Sequence, residues 1–378
     1  MAQRTVKHQP TTRAGKMGKQ GRVPSRKRLA VTAVCSTIIS LILLCGICAY
    51  LLIMAGWSQK LQTTWVCSAM NTFHHKYLAT WFIPTKTIDR ILEENMARDD
   101  GTDTDQSAIN PQGGQSQLEQ ATEDNQVDPY LEEGYEKLED GVYLKEVEGS
   151  SYRGYVMLVS DPTRVKLVDT ANQFSCGQTV MQMSERVGAV AAINGGGFND
   201  GPNYDSNGGS PSGIIIEDGK LVNPSRPSSN DNYNIIGMTS KGIFTLQHGS
   251  SQWAMDNDIY SAVSFSPFLV VNGVGQINGS GGWGIAPRTA LGQRATGEML
   301  FLVIDGRQVG WSIGCDLDVL QNTLLDEGCV NAAMLDGGSS TVMIYRGEFV
   351  NRPALGFERY INNCWVVLPA GEETSVES

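Results

Sequence analysis

Two aspartates follow apolar runs that are typical of buried strands, and both have side chains suited to acid–base chemistry. The run at residues 299–304 leads to Asp305, and the run at residues 332–335 leads to Asp336. The segment between them has leucines at helical spacing, which predicts a strand–helix–strand unit. If the two strands are parallel, both carboxylates lie at one edge of the sheet, where ligands of such sheets bind.

Polar groups suited to binding an anion stand near these aspartates or follow other apolar runs. An arginine beside a hydroxyl in Pro-Arg-Thr suits bidentate contacts with phosphate or carboxylate, although an isolated arginine is usually only solvated. Glycine-rich turns bring peptide N–H groups close to an anion, although a glycine-rich hairpin can also be purely structural. The binding candidates are Asn194, Gly195, Arg288, Thr289, Arg307, Gly337, Gly338, Ser339 and Ser340.

Histidine and cysteine usage argues against several site types. From residue 130 onward the chain has one histidine, His248, and no Cys-x-x-Cys pair, so neither a Ser-His-Asp triad nor a zinc site is predicted. Four cysteines there would allow disulfides outside the cell, but the sequence does not choose a pairing. The sequence requires no cofactor. Residues 205–208, beginning at Asp205, resemble the start of a calcium loop, but no glutamate stands at its twelfth position, so only a generic calcium site stays open.

The N-terminal region predicts a membrane anchor. Residues 1–28 form a basic arm with nine Lys or Arg and no acidic residue, and residues 29–56 contain no charge and no proline. A helix of that length crosses a hydrocarbon core of about 30 Å, so we predict one transmembrane helix in contact with membrane lipid, with a cleaved signal peptide as the alternative. The positive-inside rule puts the arm in the cytoplasm and the rest outside the cell. Beside such a span the arm has a topological role, and no nucleic-acid partner is predicted.

Composition divides the remaining chain into four segments. Residues 57–97 are apolar and amphipathic, which predicts a helical stalk that lies on the membrane or mediates self-association. Residues 98–129 have almost no large apolar side chain and predict a disordered acidic linker. Residues 130–369 are long enough for one sizeable core, and residues 370–378 are a disordered tail.

The predicted fold class of residues 130–369 is α+β. Short strand-like runs separated by glycine-rich turns dominate, and helical patterns are few. These patterns predict a mixed, largely antiparallel β-sheet domain with few helices, preceded by the transmembrane helix.

The order of motifs resembles one family. Asn-Gly-Gly-x-Phe, Pro-Ser-Gly, Pro-Arg-Thr-Ala-Leu-Gly, Asp-Gly-Arg and Leu-Asp-Gly-Gly-Ser-Ser-Thr, closed by Gly-Phe-Glu-Arg at residues 356–359, resemble the phosphodiester glycosidase family over about residues 150–368. The anchor, stalk and linker resemble bacterial membrane-bound members often described as exopolysaccharide-biosynthesis proteins. The resemblance implies hydrolysis of a sugar-1-phosphodiester in a phosphorylated glycan of the cell envelope.

The resemblance also implies roles for individual residues. Asp336 would be the nucleophile or base, with Asp305 and Glu358 as partner carboxylates. Arg288 would clamp the phosphate with support from Arg307 or Arg359. The turn at residues 337–340 would form a nest of peptide N–H groups, and Asn194 would hold a sugar hydroxyl or a water.

Two other functions stay open on the same residues. One is a non-catalytic protein that binds an anionic glycan or supports an envelope-assembly complex. The other is a glycosyl transferase, because retaining hydrolysis and transfer share an intermediate. The separation of two facing carboxylates would discriminate: about 5 Å indicates retention, about 6.5–9.5 Å indicates inversion, and no facing pair favours binding alone.

Overall fold

The computed structural model of the protein describes residues 26–71, 75–98, 101–124, 126–201 and 206–371. It divides into two compact units at Trp57 and Ser58. The basic arm up to residue 25, Asp205 of the calcium-like loop and the tail from residue 372 lie outside the described residues, so the predictions made for them stay predictions.

The first unit contains one long apolar helix. This helix, α1, spans Arg26–Ala49 and continues as a π-helical turn over Tyr50–Met54. The stretch Ala30–Met54 is long and apolar enough to cross a membrane. The structure therefore agrees with a helix that could be a membrane anchor or a signal sequence.

The second unit contains eighteen strands in its described residues, arranged in three antiparallel sheets. The strands are β1 Glu136–Glu139, β2 Val142–Glu148, β3 Arg153–Val159, β4 Val165–Asp169, β5 Ala191–Asn194, β6 Ile215–Glu217, β7 Lys220–Asn223, β8 Tyr233–Thr239, β9 Phe244–Gly249, β10 Ile259–Ser264, β11 Phe268–Val271, β12 Val274–Gly275, β13 Arg288–Arg294, β14 Met299–Ile304, β15 Cys329–Met334, β16 Met343–Tyr345, β17 Glu348–Phe349 and β18 Asn363–Val367. The sheet orders are β1-β2-β3-β14-β13-β15-β11-β12, β7-β6-β10-β8-β9 and β17-β16-β5-β18-β4.

Eight α-helices of the second unit are short. They are α2 Gln59–Met70, α3 Tyr77–Thr80, α4 Thr85–Glu94, α5 Gly113–Glu123, α6 Pro129–Glu132, α7 Val180–Arg186, α8 Ser251–Asp256 and α9 Leu317–Asp326, with 3₁₀ turns at Gln106–Ala108, Pro162–Arg164 and Gly338–Ser340. The predicted α+β class with a largely antiparallel sheet is confirmed.

The core lies on both faces of the eight-stranded sheet. Along β14, Met299, Phe301 and Val303 belong to a cluster shared with the other two sheets. The alternate residues Leu300 and Leu302 face a second cluster that includes the buried leucines of α9. This period of two, with both faces apolar, explains why the run at 299–304 has no polar residue.

The predicted strand–helix–strand unit is present, and β13 lies between its two strands in the sheet. Helix α9 joins β14 to β15, and the Asp316 side chain accepts a hydrogen bond from Val319 N at its start. Strands β14 and β15 both pair antiparallel with β13, so they run in the same direction without being neighbours. Their C-terminal ends therefore share one sheet edge, with the first residue of β13, Arg288, between them.

The segment predicted to be a separate stalk packs within the second unit. Ala97 forms a β-bridge with Ile277, and Ser280 N donates to the Asn95 side chain at 2.9 Å. Ile88 and Ile91 on α4 are buried. Helix α4 contacts α2 and α3, so the amphipathic helices of this segment pack on one another. Self-association through residues 57–97 stays a prediction.

The predicted disorder of residues 98–129 is not found in residues 101–124. Helix α5 lies there, and Gly114 N donates to Thr296 O at 2.8 Å, while Thr104 N donates to Leu246 O at 3.0 Å. A Cβ on Gly113 would stand 2.8 Å from Thr296 O, so the glycine permits a close backbone approach. Low hydrophobicity suggested disorder, whereas backbone hydrogen bonds to the sheets order this segment.

Candidate active site

A cavity of about 930 Å³ opens at the sheet edge where β15 ends. Its volume falls in the range of small-molecule sites. The lining is polar with a few aromatic rings, and it consists of Asn71, His75, Gly197, Phe198, Asp200, Ser212, Gly213, Asn232, Tyr233, Asn234, Ser264, Phe265, Ser266, Trp283, Arg307, Asp336, Gly337, Gly338, Ser339, Ser340 and Arg359. Among the described residues, this cavity collects Asp336, Arg307, Arg359 and the turn at residues 337–340 from the sequence candidates.

Asp336 lines the cavity and is held there by its backbone. Its N–H donates to Gly195 O at 3.1 Å, and its carbonyl accepts from the Asn194 side chain at 2.6 Å. Burial raises the pKa of its carboxyl to about 6, against the Ser340 hydroxyl, the Gly337 N–H and the Arg359 cation, which lower it. A carboxyl with a pKa near neutrality can exchange a proton at physiological pH.

The Asn194 side chain positions Asp336 through a hydrogen bond to its carbonyl. It is fully buried, and its Oδ1 accepts from Thr289 Oγ1 at 2.7 Å and from Val342 N at 3.2 Å. All of these contacts are internal to the protein. The expectation that Asn194 and Thr289 contact the substrate is therefore replaced by a supporting role, in which they fix the β15 end against β5 and β13.

Gly195 is required for space rather than for an exposed N–H. A Cβ at this position would lie 2.0 Å from Asn363 Oδ1, which no side chain tolerates. Its own N–H already donates to Asn363 O at 3.1 Å. The glycine run after β5 thus brings the chain against β18 and leads on to Phe198 and Asp200 in the cavity wall.

Two guanidinium groups line the cavity with Asp336. Arg359 donates to Asp200 Oδ1 at 2.6 Å and to Ser339 Oγ at 3.4 Å, and its Cζ lies 4.9 Å from the centre of the Phe198 ring. Arg307 adopts a left-handed backbone with φ 62°, and its side chain makes no hydrogen bond within the described part of the chain. Burial lowers the Arg307 pKa and Asp336 raises it. Arg307 therefore presents a cation whose donors are open to a ligand.

Asp200 is a second carboxylate of the cavity that the sequence reasoning did not select. Burial acts to raise its pKa, but hydrogen bonds from Arg359 and Ser206 outweigh this effect and lower the pKa. The Asp200 charge in turn raises the pKa of Asp336. An aspartate directly after the Gly-Gly-Gly-Phe-Asn run was the available signal, because that run delivers the chain to the β5 end.

Arg288 does not reach the cavity, which corrects the predicted phosphate clamp. Its side chain is 4% exposed and donates to Gly284 O at 2.6 Å, Trp283 O at 3.2 Å and Cys315 O at 3.4 Å. Burial lowers its pKa. The fork of donors that suits a phosphate here binds backbone carbonyls instead, so Arg288 fixes the loop around Trp283.

The two predicted partner carboxylates are also engaged elsewhere. Asp305 is 1% exposed and accepts from Trp311 Nε1 at 2.8 Å, Asn351 Nδ2 at 2.9 Å and Arg352 N at 3.0 Å. Glu358 accepts from Met181 N at 3.2 Å at the start of α7. Burial raises the Glu358 pKa, and the N–H groups of Met181 and Val180 act to lower it. The structure brings neither side chain to the cavity.

The glycine-serine turn lines the cavity, and the N–H groups of Gly337, Gly338 and Ser340 are engaged within the protein. Gly337 N donates to Asp336 Oδ1 at 2.9 Å, Gly338 N to Pro287 O at 2.9 Å, and Ser340 N to Gly337 O at 3.2 Å. The turn orients the Asp336 carboxylate and leaves the anion contacts to the arginines.

Metal and disulfide chemistry receive no support from the described residues. Within them, no group of three or more His, Cys, Asp or Glu side chains is arranged to hold a metal ion. The eight cysteines, all in the described ranges, are unpaired.

The arrangement suits attack on a carbon that bears a phosphate. A carboxylate poised near pH 6 lies in the same cavity as one unengaged guanidinium and one guanidinium paired to a second carboxylate. Carboxylate pairs perform glycoside cleavage, and arginines stabilise the charge of a departing phosphate.

Comparisons with known proteins agree with this chemistry. Residues 187–368 match the family model described as phosphodiester glycosidase. The chain is 25% identical over 235 residues to the mouse N-acetylglucosamine-1-phosphodiester alpha-N-acetylglucosaminidase, covering 56% of this chain and 43% of the mouse protein. It is 27% identical over 199 residues to YomE, an uncharacterized prophage-derived protein of Bacillus subtilis, covering 49% of this chain and 28% of that one. The chain thus spans less than half the length of both curated relatives.

A solved structure shows the same fold. The catalytic domain of the zebrafish N-acetylglucosamine-1-phosphodiester alpha-N-acetylglucosaminidase, described as auto-inhibited by its pro-peptide, superposes with a TM-score of 0.50 at 22% identity, covering 60% of this chain and 82% of that one. The resemblance inferred from the motif order is confirmed. Residues 187–368 thus match the phosphodiester glycosidase family, within a fold whose sheets also include β1–β4.

Proposed function

We propose that the protein hydrolyses sugar-1-phosphodiester bonds in phosphorylated glycans of the cell envelope or exopolysaccharide. The observation behind this proposal is Asp336, whose pKa is raised to about 6, in one cavity with the cation of Arg307 and the Arg359–Asp200 pair. The family match and the activity for which the mouse enzyme is named support the same bond type.

The reaction breaks the bond between the anomeric carbon and a phosphate oxygen. The oxygen of a water molecule becomes bonded to the anomeric carbon, and one proton of that water goes to the base. The part of the substrate that carries the phosphate departs as a phosphomonoester. Asp336 in its ionised form acts as that base or attacks the anomeric carbon first. Arg307 stabilises the negative charge on the departing phosphate, because its donors have no other partner in the described chain.

Asp200 and Arg359 complete the site in this proposal. Arg359 spans Asp200 and Ser339, so it joins the loop after β5 to the turn after Asp336. The lowered pKa of Asp200 keeps that carboxylate ionised beside the cavity, where it can stabilise positive charge at the sugar ring. Asp200 thereby takes the place that the sequence reasoning had given to Asp305 and Glu358.

We also propose that the apolar helix is retained as an anchor with the second unit outside the cell. The nine basic residues in the first 28 positions and the uncharged stretch Ala30–Met54 support this arrangement. Protease added to wall-less cells should then degrade the second unit while the arm stays protected. A mature N-terminus beyond residue 50 would instead identify a cleaved signal sequence.

A panel of sugar-1-phosphodiesters tests the activity. Full-length protein in detergent is incubated with each compound, and the release of reducing sugar and phosphomonoester is followed together. We expect equimolar release of both products for one sugar class. Binding without release would establish the glycan-binding alternative, and appearance of a new glycoside with an added sugar acceptor would establish a transferase. Starting the protein at residue 130 is unsuitable, since residues 58–124 pack within the same unit.

A further inference from the structure

A second, smaller cavity adjoins the candidate active site. Its volume is about 180 Å³, room for roughly six waters at about 30 Å³ each. Asn234, Ser266 and Trp283 line both cavities, so the two spaces share one wall. A substrate that extends past Trp283 would contact both cavities.

The second cavity contains a cation without a hydrogen-bonded or ionic partner among the described residues. Arg98 lines it with an exposed side chain, while its backbone N–H donates to Gln276 O at 2.6 Å. The adjacent β-bridge between Ala97 and Ile277 fixes the chain at this point. The base of the arginine is thus anchored, and its guanidinium is open to a ligand.

The carboxylate of Asp103, five residues after Arg98, is engaged with the end of β9. Asp103 accepts from His248 N at 2.8 Å and from Gln247 Nε2 at 2.5 Å, and it lies 2.9 Å from His248 Nδ1. His248 in turn packs against the Phe268 ring in the cavity wall, with ring centres 5.0 Å apart. An anion that enters the cavity meets Arg98 without displacing this carboxylate.

Arg98 and Arg307 are cations in a part of the chain that is mostly acidic. After the basic arm the chain has 20 basic and 40 acidic residues, so most of its surface repels a polyanion. Arg307 lines the first cavity, Arg98 lines the second, and Trp283 lines both. A substrate in which phosphates alternate with sugars would offer one phosphate to each arginine and a sugar ring to Trp283.

We propose that the second cavity is a subsite for a second phosphate of the same substrate. The inference rests on the proposed function and narrows its substrate class to glycans in which sugar phosphates repeat along the chain. Arg98 binds the phosphate one unit beyond the bond that is cleaved.

Two synthetic substrates test the subsite. One contains a single sugar-1-phosphodiester with a methyl leaving side, and the other extends that side by one further sugar phosphodiester. We expect the native protein to prefer the extended compound by about 10-fold or more in kcat/KM, as a charge-assisted contact provides. In Arg98→Gln that preference should fall to about 2-fold or less. Arg226→Gln is the matched control, because exposed Arg226 lines neither cavity and should retain the preference.

Binding provides a readout that does not depend on turnover. Phosphonate analogues of both compounds, which cannot be hydrolysed, are titrated by calorimetry into the full-length native and variant proteins. An equal Kd for the short and extended analogues, or an unchanged Kd ratio in Arg98→Gln, would overturn the subsite. If no substrate is turned over yet the ratio changes as expected, the hydrolase proposal fails and the subsite stands.

Discussion

Asp305 and Asp336 occupy equivalent positions in the sequence, but their carboxylates lie in different environments. Each is an Asp-Gly that follows an apolar strand, and β14 and β15 point in the same direction. The Asp305 carboxylate accepts bonds from Trp311, Asn351 and Arg352. The Asp336 carboxylate faces the cavity, and burial raises its pKa to about 6.

The difference arises from the loops that pack over each strand end. Trp311 lies between two guanidinium groups, with Arg352 Cζ at 3.6 Å and Arg153 Cζ at 4.6 Å from its ring centre. Asp305 holds this ring and so fixes the loop that delivers Arg307 to the cavity. One aspartate thus orders the surroundings of the cavity, while the other lines it.

The largest expected effect comes from Asp336→Asn. This change keeps the side-chain size but removes the ionised form, so kcat should fall by about 10²–10⁴-fold, the usual range for general acid–base groups. The folded state should be at least as stable at pH 7, because burial disfavours the charged form. Steady-state kinetics and thermal melting measure the two effects. A variant that melts lower but turns over normally per folded molecule would make Asp336 a turn residue.

Arg307 and Arg288 should also differ, one affecting activity and the other stability when it is replaced. Arg307→Gln should lower kcat/KM by about 10–100-fold with little change in melting, because its donors face the cavity. Arg288→Gln should instead lower the melting temperature, since it leaves buried carbonyls of Gly284 and Trp283 without their donors. The comparison fails if Arg288→Gln melts normally and loses activity as Arg307→Gln does.

Asp305→Asn should mainly affect stability. An amide offers one acceptor oxygen where Asp305 uses two, so the variant should lose about 2–4 kcal/mol of unfolding free energy. Denaturant melts measure this loss. Turnover per folded molecule should change by only a few fold, through looser placement of Arg307. A loss of activity as large as that of Asp336→Asn, without destabilisation, would restore Asp305 as a catalytic candidate.

The smallest expected effect is a pH-dependent stability difference. The folded-state pKa of Asp336, about 6, lies above the usual aspartate value, so its contribution to stability is fully present below the unfolded-state pKa and is lost as pH rises through about 6. From pH 4 to pH 7 the native protein should therefore lose on the order of 2 kcal/mol relative to Asp336→Asn. Denaturant melts of both proteins at each pH measure this difference. If the unfolding free energies of the two proteins change equally with pH, Asp336 is not buried as described. If ionised Asp336 is the active form, kcat should rise over the same pH range.

Local patterns predicted the secondary structure near the site well. The alternation in residues 299–304, the leucine spacing of α9 and its Asp316 cap all form as expected, because each depends on neighbours along the chain. Partner assignments were less successful. Arg288 and Glu358 are chemically suited to a site, but they bind backbone groups that only folding brings near them.

The sequence alone determined the apolar span, the antiparallel α+β domain, the family resemblance and the position of Asp336 after an apolar strand. These depend on composition, period and motif order, which are properties of the linear chain. Tertiary structure decided that Asp305 is sequestered, that Asp200 enters the cavity, and that residues 101–124 are ordered. A carboxylate's role depends on which groups desolvate it or donate to it, and contacts between residues far apart in the chain, such as Asp305 with Asn351 and Asp200 with Arg359, are not encoded in any local pattern.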